Sequence, residues 1–104
     1  MATTTKVLAR TAASTSNTTL YTAPTTSTTV VISNIAVANT AASSGTFTLN
    51  IDGVAIFSSA SIAANTTAII DLKQVLPANN PAKTISGSAS ATTINFHISG
   101  VEIS

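Results

Sequence analysis

The 104-residue chain has no cysteine and no tryptophan, a single histidine, four aromatic rings and seven charged side chains, four basic and three acidic. Each shortage removes a class of function. Without cysteine there is no disulfide framework, no thiol nucleophile and no zinc–thiolate site. A nucleic-acid partner calls for clustered Lys and Arg, whereas Lys6, Arg10, Lys73 and Lys83 are scattered. Four isolated glycines do not make a phosphate-cradling loop. The acids Asp52, Asp71 and Glu102 are too widely spaced to read as a metal-ligand set, and the calcium-loop-like run of Asn50, Asp52 and Gly53 lacks its downstream glutamate and is better explained as a hairpin turn. Apolar runs such as Val30-Val31-Ile32 fall far short of the roughly 20 residues needed to span a bilayer. Residues 1–17 are polar, with Lys6 and Arg10 among them, which is no secretory leader. The expectation is a soluble, non-exported protein with no nucleic-acid or membrane partner and no cofactor or metal.

Catalysis finds little to work with. His97 lies between Asn95 and Ser99 on the polar side of an alternating segment. Serine is abundant, and Asp52 or Asp71 would be the third member of a triad, but no strained nucleophile turn or Gly-rich oxyanion loop accompanies them. A solvent-facing or interface histidine and a non-enzymatic protein are expected.

What the chain does have is β-forming chemistry. Thr, Ala and Ser account for 52 residues, half of the total, and the β-branched Thr, Val and Ile for 38. Phe47, Leu49 and Ile51 alternate with Thr46, Thr48 and Asn50, and Asp52-Gly53 follows, the pair that suits a two-residue type I′ hairpin. That loop sets Ile51 opposite Val54 and Leu49 opposite Ile56, and leaves Phe57 on the other face, either covered by another element or offered to a partner. Ile94, Phe96 and Ile98 alternate in a closing strand, and a bulge at Gly100 would keep Val101 and Ile103 on the same face. Residues 28–39 are apolar on both faces, as in a central strand or one bulged near Asn34. Weaker strands are expected over 6–10, 18–22, 66–72 and 82–90. Residues 71–76 read equally as one helical turn, stopped by Pro77, or as an irregular edge strand. Seven or eight short strands at this spacing predict an all-β antiparallel sandwich or jelly roll over residues 17–104. The Thr/Ala/Ser-rich residues 1–16 are expected as a flexible N-terminal arm.

Low charge bears on partners as well. Soluble monomers usually carry about a quarter charged residues, and uncharged β-prone windows such as 28–37 are an aggregation hazard if exposed. Such a chain is safer with its edges buried in an assembly, so a homo-oligomer is expected.

The phrases Leu20-Tyr21-Thr22-Ala23-Pro24, TTVVISNIAVAN over 28–39, Thr46-Phe47-Thr48-Leu49 and INFHISGVEI over 94–103 resemble small β-rich virion structural proteins of tailed bacteriophages, common among cyanophages. The resemblance covers residues 18–103 and rests on strand and turn phrases. The short Asp52-Gly53 hairpin departs from it, since longer relatives insert residues there. It implies a virion component made in a bacterial host's cytoplasm. The first placement is a capsid cement (decoration) protein, commonly a homotrimer, clamping neighbouring copies of the major capsid protein. A tail, baseplate or fibre component is the alternative, and a glycan-binding sandwich a third. In the cement reading, residues 2–16 are a strap onto the shell. Lys6 and Arg10 would meet capsid carboxylates, Phe57 would supply an apolar contact, and Tyr21 would serve a sugar or protein partner.

Overall fold

The computed structural model describes residues 3–25, 27–71, 73–78 and 82–103. Among these, nine strands and no helix are formed: β1 (Thr3–Ala12), β2 (Thr18–Thr22), β3 (Thr29–Asn39), β4 (Gly45–Ile51), β5 (Val54–Ile62), β6 (Thr66–Ile70), β7 (Gln74–Leu76), β8 (Thr84–Ala89) and β9 (Ile94–Ile103). Of the two readings of residues 71–76, the strand is the one that Gln74–Leu76 adopt.

The pairing is nested. Around the Asp52-Gly53 tip, β4 pairs with β5, β3 with β6, β2 with β8 and β1 with β9, all antiparallel. The chain is thus one long double ribbon. It rolls up because β9 also pairs with β3 and β8 with β4. Two sheets result, β1-β9-β3-β6, with β7 continuing the β6 edge of β3, and β2-β8-β4-β5. This is the eight-stranded jelly roll, with β7 added. Its core is the space between the sheets. Val30, Ile32, Ile35, Val37, Ile94, Phe96 and Ile98 enter from one side, and Phe47, Leu49 and Ile85 from the other. Phe47 meets Phe96 edge-on with ring centroids 6.3 Å apart, a geometry that suits the ring quadrupoles.

The hairpin forms as the residue types dictate. Asp52 and Gly53 take φ of 57° and 76°, the left-handed conformation a type I′ loop needs, and Ile51 faces Val54. The register then departs from the simple alternation. Asn50 pairs with Ala55 but Leu49 with Phe57, so Ile56 is an extra residue, and a second irregularity at Ser58-Ser59 precedes the Phe47–Ala60 pair. Ser59 has φ of 49°, and its N–H donates to the Thr48 hydroxyl at 3.0 Å. One extra residue swaps the faces of a strand. Phe57 therefore shares the face of Leu49 and turns toward the core.

Gly100 also differs from expectation. β9 itself is continuous, and the extra residues lie in its neighbours: Leu8 in β1 and Ser33 in β3. Period two along β9 puts Ile94, Phe96, Ile98, Gly100 and Glu102 on the inner face and sends Val101 and Ile103 outward. The bulge at Ser33 brings Ile35 and Val37 onto the inner face with Val30 and Ile32, as a bulge near Asn34 would.

The segment expected as an arm is strand β1 over residues 3–12. It pairs with β9 from Thr3–Ile103 to Ala12–Asn95. Leu8 and Ala9 are buried, and so is Ala13 just beyond it. A lone Thr-rich segment has little reason to fold, but the unpaired N–H and C=O groups along β9 offer it a template.

Candidate partner-binding surface

The two ends of the sandwich differ in charge. At one end the segments 13–17, 40–44, 63–65 and 90–93 contain no ionisable side chain. They are held by backbone bonds such as Ala13 N–H to the Ile94 carbonyl, and by buried Asn39. The Asn39 amide donates to the carbonyls of Ser43 and Ala63, and its oxygen accepts from the Ala41 N–H. Charge collects toward the hairpin end. There Lys83 pairs with Asp52 at 3.1 Å, and Lys6 with Glu102 at 3.3 Å.

Glu102 joins three strands. Its carboxylate accepts from the Lys6 ammonium on β1 and, at 2.5 Å, from the Tyr21 hydroxyl on β2 in the opposite sheet. The Tyr21 hydrogen bond, helped by Lys6, holds the Glu102 carboxyl below the usual carboxylate range, against the effect of burial. Burial, together with the bond to Glu102 and its charge, pushes the Tyr21 phenol well above its ordinary value. Glu102 thus stabilises the fold above the unfolded carboxylate pKa, and that contribution is lost as pH falls through its lowered folded value. Tyr21 stabilises below the unfolded phenol pKa, and its contribution declines as pH rises past it. Tyr21→Phe is expected to cost about 2 kcal/mol, as for a hydrogen bond to a charged group. It should also flatten both limbs of the melting temperature against pH, and a variant with both limbs unchanged would show that the pair contributes nothing.

These contacts relocate the residues singled out from the sequence. Tyr21 is 8% exposed and its hydroxyl is engaged, so its ring offers no sugar platform. Phe57 packs on Phe47 with centroids 5.7 Å apart and lies against the core. Lys6 is exposed but occupied by Glu102. Arg10 is exposed and stands on β1 opposite His97, also exposed. Asp52 sits at the hairpin tip of the other sheet, paired with Lys83, not with His97. Among the described residues no three His, Asp or Glu side chains gather as metal ligands would.

The residues that sequence reasoning passed over are on the outward face of the β1-β9-β3-β6/β7 sheet. Registered pairs place Thr5, Val101, Val31 and Val75 in one row across four strands. Arg10, His97, Ala36 and Ile69 form a parallel row. Val7 and Ile103 extend the apolar area from Val101. Val75 is 55% exposed and Ile69 73%. The other sheet is different in kind. Its outward rows are Thr19, Ser86, Asn50 and Ala55, and then Thr48 with Ser88, where Asn50 donates to Ser86 at 3.4 Å. Hydroxyls and amides cover one face of the sandwich, whereas the other carries branched apolar side chains interspersed with Thr5, Arg10, His97 and Asn34. The apolar area continues round the β7 edge into an open groove of about 410 Å³ lined by Val75, Gln74, Val54 and Ile56. The signal for this face was present in the two-sided apolar pattern of residues 28–39, which burial in a central strand explained equally well.

The fold and this surface define a jelly-roll domain with an apolar band across one outer face. No protein-family model matches the sequence, and no curated protein does. Among solved structures, a chain from the structure of the infectious bursal disease virus Gx strain is similar to it over 97% of this chain and 30% of that one, with a TM-score of 0.49 and 15% identity. The chain thus spans less than a third of that chain's length, and likeness at this level carries no functional argument.

Proposed function

We propose that the chain is a non-enzymatic structural subunit of a virus particle, placed as a cement protein that bridges neighbouring subunits of the shell. The observation that carries the reading is the outward apolar face of the β1-β9-β3-β6/β7 sheet on a domain with only seven charged residues. Exposed contiguous apolar area on a small protein marks an interaction surface. The jelly roll is common to viral coat and lectin domains, an analogy of fold and not of site. The phage-like strand and turn phrases favour the coat side. So does Tyr21, whose engagement with Glu102 removes the aromatic platform a lectin would use. In this reading the apolar face and Arg10 meet the shell. Each contact is modest, and loss of a subunit is slow because several act together. A tail or baseplate position is the alternative, supported by the same phrases.

Quantitative mass spectrometry of purified particles tests both. A ratio to the major shell protein near one, or a simple fraction of it, is expected for a cement protein. A few per cent would move the chain to the tail, and absence from the particle would overturn the reading.

A further inference from the structure

We propose that the outward face of the β1-β9-β3-β6/β7 sheet is a self-association surface on which a second copy stacks about a two-fold axis parallel to the strands. Four strands about 4.8 Å apart and some ten residues long present roughly 600 Å² in outline. That is on the scale of the roughly 800 Å² of accessible surface each partner gives to a standard interface. Aligned face-to-face packing is also how sheets bury such faces within domains.

The choice of axis follows from charge and shape. Rotation about an axis parallel to the strands lays β1 of one copy over the β6/β7 edge of the other and keeps each row on itself. Val31 then meets the second copy's Val101, and Val101 its Val31. In the next row His97 covers the small Ala36, and Arg10 lies over Ile69, one step from exposed Asp71 at the end of β6. Among the described residues neither Arg10 nor Asp71 forms an ion pair within the chain. An axis across the strands would instead set β1 on β1, so that Arg10 would face a strand with no acidic residue. Isologous contact also uses one patch twice, so a single apolar face suffices.

The reading concerns the free chain, in which the second copy occupies the face that would be given over to the shell on assembly, and its test is independent of whether particles contain the chain. Sedimentation velocity of the full chain, up to about 100 μM, is expected to show a dimer. Val31→Lys should be monomeric with an unchanged circular dichroism spectrum. If that variant does not fold, Val75→Lys at the exposed edge carries the same test. Arg10→Asp and Asp71→Arg should each weaken the dimer about tenfold, and the two together should restore it. Thr19→Lys, exposed on the outward face of the other sheet, should leave it intact. A wild-type monomer, a trimer, or a dimer indifferent to both Val31→Lys and Val75→Lys would overturn the proposal. So would charge-swap singles with no effect.

Discussion

Deleting residues 3–12 is expected to abolish cooperative folding. β1 covers the outer edge of β9 over ten residues and buries Leu8 and Ala9, and its Lys6 holds Glu102. Losing Leu8 alone forfeits roughly 2–3 kcal/mol of burial. The bare β9 edge would then expose an unpaired row of N–H and C=O groups beside Val101 and Ile103, a template for association with other chains. Against a total stability of about 5–15 kcal/mol for a domain of this size, the loss of strand, side-chain burial and ion pair together is decisive. Size-exclusion chromatography and thermal unfolding followed by circular dichroism check it, with aggregated or non-cooperative material expected. A soluble truncated protein melting within a few degrees of the full chain would show that residues 3–12 are dispensable, as the arm reading supposes.

Gly100→Ala is the single substitution with the largest expected cost. Gly100 occupies an inner-face position of a fully paired strand, between the bulges at Leu8 and Ser33. An added Cβ would collide with the backbone carbonyl of Val31, lie 2.8 Å from the Leu8 side chain and come within 3.2 Å of the Ile32 Cα. Two of those neighbours are main chain and cannot turn aside. Overpacking of this kind costs about 3 kcal/mol, a fall on the order of 15 °C in melting temperature for a domain near 100 residues. Gly53→Ala makes the contrast. Nothing lies within 4 Å of its Cβ position, but its φ is 76°. The penalty there is conformational, about 1 kcal/mol. Comparing the two melts separates crowding from backbone strain. Equal shifts would show that close approach at Gly100 is not what limits it.

Much of the architecture was legible in the residues. The Asp52-Gly53 loop, the alternation of Phe47, Leu49 and Ile51, the closing strand from Ile94 and the irregularity near Asn34 are local signals, and each is realised. The face of Phe57 was not legible, because it depends on bulges at Ile56 and Ser58-Ser59 that no residue type there demands. Gly100 was misread for a related reason. A glycine that breaks an apolar alternation looks the same whether its own strand bulges or both neighbours do. Tyr21 passed as a candidate contact because its partner, Glu102, is 81 residues away in sequence. The apolar outer face was half visible. Val31, Val101 and Ile103 stood out of phase with their neighbours, but only cross-strand register aligns Val31, Val75 and Val101 in one row.

The sequence by itself determined that this chain is all β, where its hairpin turns, and that it lacks the cysteines, clustered charge and glycine loops that most chemistry needs. Those properties are set by residue type and by spacings of two or three positions, over which backbone sterics and side-chain alternation act directly. The tertiary structure alone decided that residues 3–12 are a strand and that Glu102 ties the two sheets together. It also decided which of the two outer faces carries the apolar band. Each of these depends on pairing between segments far apart in the chain, and such pairing is settled by which edges and faces the rolled ribbon leaves to be filled.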